Sequence, residues 1–207
     1  MNSSKTKFIA VTIENFLYGG NTTHLINLIN SNKFKNFKFI IITNKNNEGV
    51  KQIKKSCSKQ KVRMIYFNSY NVFKSRIFLL KLLFIAFKPI LFVISVFQMF
   101  YILKKIKFNL LLADCGGYGD FRSEMASLIA ATFLKVKKKY LLVHHCYTRP
   151  KFWNLLIQLV NIFLSHNLTK LIFVSKATKI SIKKNTRLFK FLVKNIIIYN
   201  GVDIKNI

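Results

Sequence analysis

The sequence predicts an α/β protein: a doubly wound, parallel, Rossmann-like sheet of about seven strands, with helices on both faces. Two patterns predict it. Short apolar runs alternate seven times with helical segments along the 207 residues. Several of those runs are continuously apolar instead of alternating, as strands buried on both faces must be. Composition agrees, since 51% hydrophobic and 14% aromatic residues exclude intrinsic disorder. The length suffices for one large domain or two small ones.

Residues 8–13 (FIAVTI) read as the first strand. Gly19-Gly20 then breaks any regular pattern, and Asn21, Thr22 and Thr23 are helix N-cap types. Leu25, Ile26, Leu28 and Ile29 follow, three of them on one helical face. A strand–glycine–helix unit admits a phosphate, because glycine lets the backbone come close and the helix start offers unpaired N–H groups. The same form serves as a plain βα turn.

Residues 37–43 (FKFIIIT) make the second strand, 44–47 a turn, 50–58 a short basic helix and 62–67 (VRMIYF) the third strand. Residues 71–107 are dominated by apolar side chains. Residues 109–113 (NLLLA) make the fourth strand and 114–120 (DCGGYGD) a glycine-rich loop. A helix follows over 121–134, with Asp120 as its N-cap and Glu124 complementing its dipole. The fifth strand is 139–144 (KYLLVH), followed by a helix over 153–164. The sixth is 170–174 (KLIFV), after which Ser175 caps a basic helix from 176 to about 189. The seventh is 195–199 (NIIIY), and 200–203 (NGVD) is a turn. Ligands of such a sheet sit beyond the carboxyl ends of its strands. The candidate loops are therefore 16–22, 114–120, 144–150 and 175–178.

Lys and Arg number 35 against 6 Asp and Glu, a formal net charge of +29. Nucleic acid or an anionic membrane is the obvious partner for that field. Joint over-use of Lys, Asn, Ile and Phe is also what an A/T-rich genome imposes. No helix-turn-helix, RRM, KH or zinc pattern accompanies the charge, so no specific nucleic-acid partner is expected. Cys57, Cys115 and Cys146 lie far apart with no CxxC, which fits reduced cytosolic thiols and neither a disulfide frame nor a zinc site. The N-terminus has too short an apolar run before Glu14 to be a signal peptide. The loop around Gly116 and Gly117 is not a dinucleotide fingerprint, because such a fingerprint follows strand one. No G-x-S-x-G elbow supports a serine hydrolase.

The apolar segment 77–103, within a helical region 74–105, carries one polar stripe: Lys74, Lys81, Lys88 and Ser95 recur every seven residues, with Gln98 and Lys105 close to it. Pro89 should break it into two helices or kink one. A transmembrane span is opposed by Lys88-Pro89 near its middle, since a central Lys costs roughly 2.5–3.5 kcal/mol. A single crossing would also separate strand four from strands one to three. The expected arrangement is helices that cover the sheet with one face and rest on a bilayer with another.

Four landmarks now fall in order: Gly19-Gly20 after strand one; KKIKFNLLLADC leading through strand four; Leu142-Val143-His144-His145; and Ile172-Phe173-Val174-Ser175 with Asn200-Gly201-Val202-Asp203 after strand seven. In this the chain resembles the N-terminal, acceptor-side half of a GT-B-fold glycosyltransferase of family 4. The resemblance covers essentially all 207 residues. It implies a Rossmann-like domain over 1–199, with 200–207 opening the donor domain or a linker. It implies sugar transfer from a nucleotide-sugar to a lipid-linked or saccharide acceptor in cell-surface glycan synthesis, without metal or cofactor. The setting would be cytoplasmic, peripheral to an anionic membrane. By resemblance Gly19 and Gly20 approach the donor diphosphate and His144 is the catalytic residue at the reacting centre. Asp114, Gly116, Gly117, His145, Ser175 and Asn200 line the cleft. His24 and His166 read as structural or surface residues.

There are departures. Asn21-Thr22-Thr23-His24 follow the glycine pair where a small residue is usual, and His145 stands where Asp is common. The donor domain's pair of glutamates separated by seven residues is absent, the glutamates here being Glu14, Glu48 and Glu124. The donor half would then belong to a missing domain or a partner protein. The alternative is a non-enzymatic, basic, membrane-peripheral interaction protein on a Rossmann-like scaffold.

Overall fold

The computed structural model describes residues 7–69, 78–148, 153–186 and 194–199. Seven parallel strands form one sheet in the order β3-β2-β1-β4-β5-β6-β7. They are β1 Lys7–Ile13, β2 Phe37–Asn44, β3 Val62–Phe67, β4 Leu110–Cys115, β5 Lys139–Val143, β6 Lys170–Phe173 and β7 Asn195–Ile197. The helices are α1 Gly20–Asn30, α2 Gly49–Ser56, α3 Phe78–Lys104, α4 Ser123–Phe133, α5 Asn154–Asn167 and α6 Lys176–Asn185.

Alternate side chains of each strand enter opposite layers. Ile9, Val11, Ile13, Phe39, Ile41, Leu112 and Leu142 meet Leu25, Ile26 and Ile29 of α1 and Ile53 of α2. Ala10, Ile40, Ile42, Leu111, Ala113, Leu141, Val143 and Phe173 meet α3, α4, α5 and α6 on the other face. This explains the continuous apolar runs: the interiors of β1, β2, β4 and β5 are covered on both sides, while the edge strands β3 and β7 are only partly buried.

Several expectations are corrected at element ends. Asp114 and Cys115 belong to β4, since they still pair with Leu142 and Val143 of β5. Helix α1 starts at Gly20 with Gly19 as N-cap, and Asn21 and Thr22 are buried in its first turn. Asp120 does not cap α4; its Oδ1 accepts from Phe121 N at 2.7 Å, and it ion-pairs with Lys88. The helix begins two residues later, and its start is capped from β1. Ser123 donates to Glu14 Oε2 through both N (3.1 Å) and Oγ (2.7 Å). Glu124 stands in the first turn of α4 as expected, and its carboxylate has further partners: Oε1 accepts from Glu14 N at 2.9 Å, and Arg122 Nε lies 3.2 Å from Oε2.

The expected break at Pro89 does not occur, for α3 runs through it as one element. A proline there leaves the carbonyl four residues back, Ile85 O, without its helical donor. Trp153 Nε1–H fills that vacancy at 2.7 Å. Residues 200–203, the expected start of the helical region at 74–77 and the expected end of the helix over 176–189 lie outside the described residues.

Candidate functional site

The chain leaves β1 toward β2 and β3, then crosses back through α3 to β4. Strands β1 and β4 are neighbours from which the connections run in opposite directions. That switch opens a crevice at their carboxyl ends, the usual ligand site of open α/β sheets. The loop after β1, the first turn of α1, the end of β4 and the residue after β5 all meet there.

Asp114 is the penultimate residue of β4 and fully buried. His144 directly follows β5, its backbone N–H donating to Cys115 O at 3.1 Å. The β4–β5 ladder thus sets the two side chains together, and His144 Nε2 lies 2.7 Å from Asp114 Oδ1. His24, in the first turn and a half of α1, packs edge-on against His144, with ring centroids 5.0 Å apart. One donor atom from each of His24, Asp114 and His144 lies within 4.8 Å of the others. Asp114 Oδ2 and His24 Nδ1 are buried and, among the described residues, unpartnered. Burial holds the His24 pKa below its ordinary value, with Asp114 opposing and His144 reinforcing that shift. At neutral pH His24 is therefore a neutral imidazole with a lone pair to offer.

Beside this cluster lies a second buried network. Glu14 joins Ser123 and Ser69, and Arg122 Nη2 donates to Glu14 O at 2.8 Å. Burial, strengthened by Glu14 and opposed by Arg122, pushes the Glu124 carboxyl up to about 6. A cavity of about 280 Å³ opens against it, lined by Glu14, Lys88, Ser95, Asp120 and Arg122 among others. Burial also pushes the Cys115 thiol well up, so it serves as a hydrogen-bond donor to Gly117 O and not as a nucleophile.

The remaining sequence candidates fall around this centre. A side chain added at Gly19 or Gly20 would meet nothing, so packing within the chain does not demand glycine at either. Gly116 leaves room for the Asn21 amide of α1, and a side chain at Gly117 would make only ordinary contact with Arg122. His145 is exposed. Ser175 caps α6, accepting from Thr178 N at 3.1 Å. His166 lies exposed in the last turn of α5.

His24 was not expected here. Its signal lay in counting four residues on from Gly20, which returns the side chain to the strand-end side of a helix that starts at the glycine pair. Glu14 carried a weaker one, as a lone acid at the end of an apolar strand.

No family model matches the sequence, and no curated protein matches it. Solved structures do. A structure of Acinetobacter baumannii MurG superposes with a TM-score of 0.58 at 11% identity, over 95% of this chain and 47% of that one. A UDP-N-acetylglucosamine 2-epimerase superposes with a TM-score of 0.52 at 11% identity, over 87% of this chain and 45% of that one. The chain spans about half the length of the solved structures it matches. Its fold is that of one half of a GT-B-like molecule.

Proposed function

We propose that this chain is the acceptor-side half of a family-4-type GT-B glycosyltransferase. It would move a sugar from a nucleotide diphosphate to a lipid-linked or saccharide acceptor in cell-surface glycan synthesis. The donor half is supplied by a further domain or a partner protein. The observation that carries the reading is the His144–Asp114 pair, set by the strand ladder at the switch point of this fold. With Asp114 ionised, Nε2 of His144 carries the proton and Nδ1 is left to accept one. That nitrogen meets a hydroxyl of the transferred sugar or of the acceptor. Gly19 and Gly20, exposed at the start of α1, offer N–H groups to the donor diphosphate.

The proposed setting is the cytoplasmic surface of an anionic membrane. Helix α3 contains at Leu83–Lys104 a stretch long and apolar enough to cross a bilayer. A peripheral position is favoured, because β3 before it and β4 after it lie in the same sheet. Among the described side chains of α3, only a narrow seam of Phe92, Met99 and Leu103 is buried. Two residues of the polar stripe turn inward: Lys88 pairs with Asp120, and Lys88 and Ser95 line the cavity. Ile90, Val93, Phe97 and Tyr101 face out. An amphipathic helix with its polar side to the protein and its apolar side to the surroundings fits an interfacial element.

The test uses a chain whose donor half is restored by fusion after Asp203 or by a partner. Gly20→Val should chiefly weaken donor binding. His144→Ala should lower turnover more than affinity, on the order of 10²–10⁴-fold. Full transfer activity in either variant, or a loss that tracks unfolding by circular dichroism, would reduce the two positions to scaffold.

A further inference from the structure

We propose that His24, Asp114 and His144 form a binding site for a divalent first-row transition ion of the zinc class. Two imidazoles and one carboxylate would be ligands, leaving the remaining position to water or to an oxygen of a bound substrate. The site is the one described above, but the inference does not depend on sugar transfer.

Four observations meet here. The donor set, two imidazole nitrogens and one carboxylate oxygen, is the ligand chemistry such ions select. The donor atoms lie within 4.8 Å of one another. Ligands held about 2.0–2.2 Å from one tetrahedral ion lie about 3.4 Å apart, so closure needs the widest of these separations to shorten by about an ångström and the 2.7 Å His144–Asp114 contact to open. Asp114 Oδ2 and His24 Nδ1 are buried without a partner among the described residues, beside the paired Asp114 Oδ1 and His144 Nε2. Buried polar atoms are seldom left so, and a cation is a partner that satisfies such acceptors. Finally, the backbone positions that carry the three side chains are fixed in advance. Asp114 is fixed in the β4 ladder, His144 is held by its own N–H and by Thr178 Oγ1 on its carbonyl, and His24 rides on a helix anchored by Leu25 and Ile26.

The ion would take the place of the proton between His144 Nε2 and Asp114 Oδ1, which moves to Nδ1, so that in the ion-bound form Nδ1 donates to a substrate oxygen instead of accepting from a hydroxyl. The formal net charge of +29 opposes any cation at long range. That term is screened over about 8 Å at physiological ionic strength, whereas coordination acts at contact.

The experiment uses the untagged chain, freed of metal by a chelator and dialysis. It is titrated with Zn²⁺ by calorimetry and with Co²⁺ by visible spectroscopy. The expected result is one equivalent of ion, visible Co²⁺ bands of a nitrogen- and oxygen-ligated site, and a Zn²⁺-dependent rise in the thermal midpoint. His24→Ala and His144→Ala should each lower affinity by at least about tenfold, with far-UV circular dichroism unchanged. His24 is only half-buried, so its variant keeps the test open if the one at His144 fails to fold. Absence of stoichiometric binding overturns the proposal, as does binding that His24→Ala leaves intact, which would place the ion elsewhere, such as at exposed His145 and Cys146. Transfer activity that needs His144 in a protein that binds no ion would sink the ion and leave the proposed function standing. Ion binding without transfer would do the reverse.

Discussion

Glu14, Asp114 and Glu124 are three of the six acidic residues in the chain, and all three are buried around the crevice between β1 and β4. In a chain with 35 Lys and Arg, so sparse a set of acids marks where negative charge is needed. Glu124 gives a measurable consequence. Its carboxyl is raised to about 6 by burial, with Arg122 opposing and Glu14 reinforcing. A raised carboxyl means that the folded protein binds the proton more readily than the unfolded chain. This group's contribution to stability should therefore fall as pH rises from about 4.5 to about 6, by about 2 kcal/mol, and stay flat above. His24, lowered by burial, works with the opposite sign, losing stability as pH falls below its ordinary value near 6.5. The comparison of wild type with Glu124→Gln isolates the glutamate. Thermal midpoints from pH 4 to 7.5 should show the wild type losing ground to the variant through that window; parallel curves would contradict it. At this scale the placing of His144 and Asp114 near strand ends was legible, but their pairing was not, because it depends on the β4–β5 register. His24 and Glu14 were not, because their roles depend on neighbours 120 and 109 residues away in sequence.

Helix α3 shows what an element hides in its sequence. Its apolar character and single polar stripe were legible, and Pro89 pointed to a break. The break is absent because the carbonyl that proline strands, Ile85 O, accepts from the Trp153 indole N–H at the start of α5. Trp153→Phe keeps the ring and removes the donor, so it should cost about 0.5–1 kcal/mol. In a Pro89→Ala background residue 89 regains an N–H for Ile85 O, and the same change should then cost markedly less. Urea unfolding of the four proteins in this cycle measures the coupling. Equal costs in both backgrounds would mean that the indole bond does not serve the proline. The same lesson holds at α4. Asp120 and Glu124 fit a local capping pattern, yet Glu14 does the capping, since a buried carboxylate at a strand end outcompetes an exposed one in the loop. The strands were legible to within about a residue or two at each end, as continuous apolar runs depend on burial alone.

For the whole molecule, the alternation of strands and helices foretold a parallel sheet. The order β3-β2-β1-β4-β5-β6-β7 is what right-handed crossovers then produce. Less legible was which side of α3 would be left outside. A polar stripe normally faces water, but here Lys88 and Ser95 face the cavity and the apolar sides remain exposed. Trp153 links this helix to the start of α5, which exposes Leu155, Leu159 and Ile162. If this apolar surface rests on a bilayer, binding has two parts. Lysines attract an anionic surface through a field screened over about 8 Å at physiological ionic strength, and burial of apolar side chains is insensitive to salt. The protein should co-sediment with vesicles containing anionic lipid more than with neutral ones. High salt should weaken binding without abolishing it, and carbonate should release the protein. Ile90→Glu with Phe97→Glu places two carboxylates on the outer face of α3, away from the seam of Phe92, Met99 and Leu103. That variant should lose the salt-resistant part and keep its circular dichroism spectrum. Retention of the wild type in the carbonate pellet would show a helix that spans the bilayer, and binding abolished by salt alone would show that the apolar surface meets something other than lipid.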